Sequence, residues 1–384
     1  MRTAPAELLN WCQARQDWLR ETIESLVAME SPSTDKPAVD RCGAELSRRL
    51  ESIGAAVHRL PREARGDHIR ADFAGAGPRV LLLGHFDTVW PIGQLERQPL
   101  REDAGRLHGP GIFDMKAGIA VSMLALRVLH ELVGHDLPRV TMLWTTDEEV
   151  GSETSRPAIE ALARECSAVL VLEPSLPGGA VKTSRKGCGE FELTVHGVSA
   201  HAGLDPGKGA SAIHELAHQI AAITALQNPD RGVTFNVGRI AGGSRTNVVA
   251  DLARASIDVR VSTKEDAAVV DEQLRALRPV LAGTRLELQG GVDRPPLERN
   301  ADVIRLYEVA REVAGELGKA LPEGAAGGGS DGNLTAAIGV PTLDGLGPRG
   351  DGAHAIHEHV ELDDLPWRAA FIARLLSRLG GENH

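Results

Sequence analysis

Cysteine is scarce and scattered in this chain. Cys12, Cys42, Cys166 and Cys188 form no CxxC pair and no disulfide-like rhythm, which speaks against a disulfide framework and for reduced thiols in a cytoplasmic protein. No apolar run approaches the ~20 residues that cross a bilayer, and the first thirty or so residues lack the unbroken apolar centre of a signal peptide, so no membrane partner is expected. There is no basic stripe either. Lys and Arg number 42 against 53 Asp and Glu, a net charge of -11, and such a surface cannot neutralise a phosphate backbone, so nucleic acid is excluded as a partner. Internal repeats, low-complexity tracts and long linkers are also missing.

What is present is an ordinary globular composition, 42% hydrophobic and 25% charged, over 384 residues. That length exceeds what one core usually organises, so two domains are expected. Leu8, Leu9, Trp11, Trp18, Leu19, Ile23, Leu26 and Val27 fit one face of an N-terminal helix. A helix over 38–53 follows, then strands over 57–60, 69–73 and 80–84. Next come a helix over 117–132, a strand over 140–145, a helix over 156–164 and a strand over 169–172. Strands alternating with helices mark an α/β sheet with parallel pairs.

The pattern changes near Glu190. Strand, helix, strand, strand, helix, strand over 190–196, 210–226, 233–240, 253–262, 267–281 and 285–288 is the ferredoxin-like order. Helices over 303–317 and 365–379, with a buried strand in VPTLDGLG between them, return to the first pattern. The expected division is a catalytic domain of mixed, largely parallel sheet over 1–184 and 294–384. An α+β domain is inserted at 185–293.

Chemistry-bearing residues follow the ends of the apolar runs. His85 and Asp87 come after VLLLG, Asp114 after a Gly-Pro-Gly turn, Glu148 and Glu149 after VTMLWTTD, Glu173 after VLVL, and His354 beyond VPTLDGLG. Ligands of open α/β sheets bind outside the carboxyl ends of the strands. Each residue alone has an ordinary explanation, as a loop histidine, a helix cap or an acid at a helix start. Five segments delivering imidazole or carboxylate to one edge do not, because clustered acids repel unless a cation or proton neutralises them. Part of the acidic excess is then charge that a cation would balance. Two histidines with three or four carboxylates and no thiolate suit two divalent ions, zinc first, with cobalt or manganese as alternatives.

The motifs GHFDTV, GPGIFDMKAG, TTDEEVGS, LEPS, SAHAG, TNVVAD, GGGSDGN and AHAIHEHV together resemble the M20 family of dinuclear zinc peptidases and amidohydrolases. Within it they are most similar to the glutamate carboxypeptidase (carboxypeptidase G2-like) branch. The resemblance runs in order along nearly the whole chain. It implies a zinc-exopeptidase-like catalytic domain, an inserted dimerisation or lid domain, a homodimer and two Zn2+ per subunit. His85, Asp114, Glu149, Glu173 and His354 match the metal ligands, with Asp114 bridging. Asp87 matches the carboxylate that orients His85, and Glu148 the general base. His354 is preferred to His357 and His359 because the family's ligand is followed four residues later by Glu and six later by an apolar residue, here Glu358 and Val360. For Glu148 and Glu149, extended backbone would turn one side chain to the metal and its neighbour to the water.

In the inserted domain, His201 matches an oxyanion donor reaching the other subunit's site, and Asn247 a substrate contact. Arg260 and Arg294 match arginines that hold the substrate carboxylate, as the guanidinium fork suits. Gly328 and Gly329 would let backbone approach the ligand. One departure stands out: Lys116-Ala117-Gly118 replaces the family's Lys-Gly-Gly. The implied reaction is hydrolysis of an amide bond by a bridging water that two zinc ions activate, releasing a C-terminal, glutamate-like amino acid from an N-acyl or peptidyl substrate. The alternative is an N-acyl-amino-acid deacylase of the acetylornithine or succinyl-diaminopimelate type. A catalytically silent relative would require a missing ligand or base, and none is missing.

Overall fold

A computed structural model describes residues 4–133 and 138–381. It resolves into two compact units: one of 1–183, 299–325 and 330–384, the other of 184–298 with 326–329. The smaller unit thus extends to 298, past the expected 293, and takes in a short return segment as well.

In the larger unit a six-stranded sheet has the order Ala56–Leu60, His68–Phe73, Pro138–Thr145, Ala76–His85, Ala168–Val171, Thr342–Leu343. The last four strands run parallel and the first two pair antiparallel. The apolar run after Arg79 explains the central strand. Val80 and Leu82 enter a core lined by the helices Ala117–Val133 and Leu365–Leu379, whereas Leu81 and Leu83 enter the opposite one with Ile159, Leu162 and Leu334. A strand buried on both faces reads as a continuous hydrophobic run. The parallel strands therefore open their carboxyl ends on one edge, with His85 beside Thr145 in register.

The smaller unit is an antiparallel sheet in the order Thr234–Gly242, Leu252–Val261, Gly187–His196, Arg285–Arg294. Phe191, Leu193 and Val195 alternate into a core that Leu216, Ile223, Val270 and Leu274 complete from the helices Ala212–Ala225 and Lys264–Arg275. Burial on one face only gives the period-2 pattern seen in the sequence.

Several expectations shift. The single N-terminal helix is two, Pro5–Gln13 and Gln16–Ala28. The break lets the first pack on Leu365–Leu379 while the second lies against the helices Lys36–Ser52 and Ala117–Val133. The helix expected at 267–281 is Lys264–Arg275, started by the Thr263 side-chain cap on Asp266. A small sheet of Arg101–Asp103, Arg106–His108, Gly350–Asp351 and His359–Glu361 has no counterpart among the expected elements. Its strands are two or three residues long, too short for periodicity. Among the described residues no helix is long and apolar enough to cross a membrane.

Candidate metal centre

Every expected ligand lies at a strand end, in a short turn or in a loop of the larger unit, and these segments converge. His85 ends its strand and is buried. Its Nε2 lies 3.2 Å from Asp114 Oδ1 and 3.4 Å from Glu173 Oε1. On the other side, His354 Nε2 lies 3.3 Å from Asp114 Oδ2 and 3.2 Å from Glu149 Oε2. Asp114 thus turns one carboxylate oxygen to each imidazole. His359 is elsewhere, facing the ring of His108 at 5.1 Å.

These separations test the fit of a metal. Ligand atoms at 2.0–2.1 Å from a tetrahedral ion lie about 3.3 Å apart, which is the spacing of each imidazole from its two carboxylates. Among the described residues Glu149 Oε1 also has no hydrogen-bond partner although it is buried, an arrangement that costs free energy unless something positive completes it. The donor set is imidazole and carboxylate without thiolate, as zinc, cobalt and manganese accept.

The electrostatics make the same demand. Burial would lower the His85 pKa, but hydrogen bonds to Asp114, Asp87 and Glu173 outweigh it and hold the imidazole well above its usual value. Asp114 and Glu149 push His354 up to about 10. Burial opposes ionisation of Asp114, yet the two histidines hold it below the usual carboxylate range, whereas burial raises Glu149. The cluster calls for positive charge, and with protons alone the histidines must carry it.

Surrounding contacts set the geometry. The near partner of His85 Nδ1 is the Asp87 carbonyl at 3.0 Å, with the Asp87 carboxylate at 3.4 Å. Asp87 Oδ2 accepts from Ser33 Oγ at 2.7 Å and from the Glu149 backbone N–H at 3.3 Å. Glu148 and Glu149 are not in extended backbone as expected. They open a single tight turn, Glu148–Val150, so the argument from alternating side chains does not apply. The turn forms because Asp147, wholly buried, accepts from Thr154 N–H and Oγ at 2.7 Å each and draws the chain back. Gly118 is required where it stands, since a Cβ would lie 2.2 Å from the Leu172 carbonyl, while Ala117 is accommodated in the core.

The remaining expected residues belong to the smaller unit. His201 is exposed, and its Nδ1 accepts from the N–H groups of Gly203 and Leu204, both at 3.1 Å. That leaves Nε2 as the protonated nitrogen of the neutral ring, a donor. Asn247 is exposed and its carbonyl accepts from Ala202 N–H. Arg260 and Arg294 lie across from Cys188 on the two flanking strands. The Arg260 guanidinium already grips Asp258 with two hydrogen bonds, 2.9 and 2.7 Å, and reaches Cys188 Sγ. Gly328 and Gly329 accept from Arg185 through their carbonyls, and a Cβ on Gly329 would meet Arg294 at 2.7 Å. Sequence reasoning missed Asp147 and used Glu358 only as a register mark; a buried acid that accepts from backbone N–H groups leaves no periodic signal.

The converging segments form a candidate metal site, and likeness to known proteins makes the chain a hydrolase. Residues 81–378 match the family described as peptidase family M20/M25/M40, and the chain belongs to that family. It is 30% identical over 371 residues to carboxypeptidase G2 of a Pseudomonas species, covering 94% of this chain and 89% of that protein. It is 29% identical to succinyl-diaminopimelate desuccinylase of Xanthomonas oryzae, covering 88% and 93%. Among solved structures, the aminopeptidase PepT of Bacillus cereus superposes with a TM-score of 0.79 at 23% identity, covering 95% and 99%. The Bacillus subtilis YXEP protein, a dinuclear metal-binding peptidase of the M20 family, does so with 0.70 at 16% identity, covering 96% and 99%.

Proposed function

We propose that the protein hydrolyses an amide bond and releases a C-terminal, glutamate-like amino acid from an N-acyl or peptidyl substrate. The observation that carries this reading is that Asp114 turns one carboxylate oxygen to His85 and the other to His354, with Glu173 beside the first imidazole and Glu149 beside the second. His85, Asp114 and Glu173 would hold one Zn2+, and His354, Asp114 and Glu149 the other. When bound, such ions supply a water acidified from a pKa of ~15.7 toward ~7 and positive charge for the oxyanion. Glu148, beside the ligand Glu149, takes the proton from the attacking water and returns it to the departing nitrogen. Asp87 keeps His85 oriented through Nδ1. His201, protonated on Nε2, donates to the oxyanion, serving the site of a second copy in a homodimer.

Arg294 and Arg260 would hold the substrate carboxylate. Arg260 must then exchange Asp258 for it. Asn247, Gly328 and Gly329 complete the substrate surface, and we place the enzyme in the cytoplasm. Similarity to a desuccinylase favours a second reading, an N-acyl-amino-acid deacylase. Zinc-loaded enzyme offered a panel of N-acyl amino acids and dipeptides, read by ninhydrin, separates the two. Turnover confined to C-terminal glutamate or aspartate derivatives is the expected result; preference for acetylornithine or succinyl-diaminopimelate would replace the first reading with the second.

A further inference from the structure

We propose that Glu358 is a positioning residue that sets the place of Asp114, an inference that rests on the metal reading above. Its side chain is wholly buried and, among the described residues, accepts four hydrogen bonds. Oε1 accepts from Phe113 N–H at 2.9 Å and Asp114 N–H at 3.0 Å; Oε2 accepts from Gly111 N–H at 2.8 Å and Trp90 Nε1–H at 3.0 Å. One carboxylate thereby joins three ligand-bearing segments. Trp90 follows His85 and Asp87, residues 111–114 carry Asp114, and Glu358 closes the loop of His354. That loop returns on itself through Glu358 N–H to the Ala355 carbonyl at 3.0 Å, and Gly352, at φ +84°, leaves no room for a Cβ beside the Glu358 backbone.

All four partners are donors, two to each carboxyl oxygen. Burying a polar group this deeply is costly when the aim is packing alone. Here the side chain holds, through three backbone N–H groups, a turn whose Asp114 and Met115 lie outside helical φ/ψ, so the backbone under the bridging ligand is fixed by Glu358 and not by a helix. Glu358→Gln would set an amide N–H2 against two donors and release part of the turn. Both donor sets share Asp114, so both lose.

The test is Co2+ titration of metal-free protein, following the visible absorption bands and Kd. Glu358→Gln is expected to weaken Co2+ binding about 10–100-fold, as loss of groups supporting ligands does, and to alter the band pattern. Trp90→Phe, which removes one donor and leaves three, should fall between it and the wild type. Glu215→Gln is the control: this buried acid of the smaller unit also clamps a loop, accepting from Val280, Leu281 and Thr284. Its loss should lower Tm and leave the Co2+ signal unchanged. Wild-type Kd and spectrum in Glu358→Gln would overturn the proposal, and if that variant does not fold, wild-type behaviour of Trp90→Phe does so. A wild-type protein that binds no Co2+ would overturn the metal reading itself.

Discussion

Replacing Asp114 with Asn tests whether one carboxylate serves two ions. The side chain spans 3.2 Å to His85 on one oxygen and 3.3 Å to His354 on the other. Asparagine keeps the shape but offers one neutral oxygen and an N–H2 group that cannot ligate. At a free metal concentration of 100 Kd, each site stabilises the fold by about 2.7 kcal/mol. At ~2.1 cal/mol/K per residue, the larger unit of roughly 265 residues unfolds with about 0.55 kcal/mol/K. One ion then raises Tm by about 5 °C and two by about 10 °C. Thermal unfolding with and without Zn2+, paired with elemental analysis, should give the full rise and two ions for the wild type. Asp114→Asn should rise by about half or less and hold one ion or none. Two retained ions with an undiminished Tm rise would refute the sharing of Asp114.

Glu148→Gln should keep the wild-type metal content and lower kcat by about 10²–10⁴-fold; unchanged turnover would remove Glu148 from the proton path. If His201 serves a second copy, mixing inactive Glu148→Gln with inactive His201→Ala and allowing subunits to exchange should restore about a quarter of wild-type activity, since half the dimers then hold one complete site. No recovery despite exchange would place His201 with its own chain. Asp258→Asn frees Arg260 from a half-exposed ion pair of about 0.5–1 kcal/mol, so KM for acidic substrates should fall about two- to fivefold; an unaltered KM would leave Arg260 outside substrate binding. His68 is buried between Thr146 and Thr154, and burial lowers its pKa. A depressed folded pKa gives stability that is present above the unfolded value near 6.5 and is lost as pH falls through the folded one. The acid side of the Tm–pH curve should therefore flatten in His68→Gln.

The parts of the fold legible in the sequence were those with one dominant signal. The run Val80–Leu83 is buried on both faces, and the alternation of Phe191, Leu193 and Val195 marks a sheet buried on one. The candidate ligands were legible because each is a polar residue that stops such a run. Helix ends fixed by local caps, as at Thr263, and three-residue strands paired across about 250 positions, as His359 with His108, carry no comparable pattern. The turn at 148–150 was misread for the same reason. Its conformation depends on where Asp147 finds donors, at Thr154 and Ser155, and residue types do not encode that.

That lesson changes the meaning of the acidic excess. From composition, surplus acids read as charge for a cation to balance, and Asp114, Glu149 and Glu173 fit that description. Others act on the backbone. Glu358 accepts from residues 111, 113 and 114, Asp147 from 154 and 155, Asp87 from 149, and Glu30 from 93 and 95. Donor atoms 3.2–3.4 Å apart, drawn from five separate segments, tolerate little drift. Loops have no hydrogen-bond ladder to prevent it. A buried carboxylate that collects several N–H groups supplies the missing ladder, and charge-assisted bonds are roughly twice as strong as neutral ones. At this edge of the sheet, then, the acids divide between those proposed to face the metal and those that hold the loops still for them.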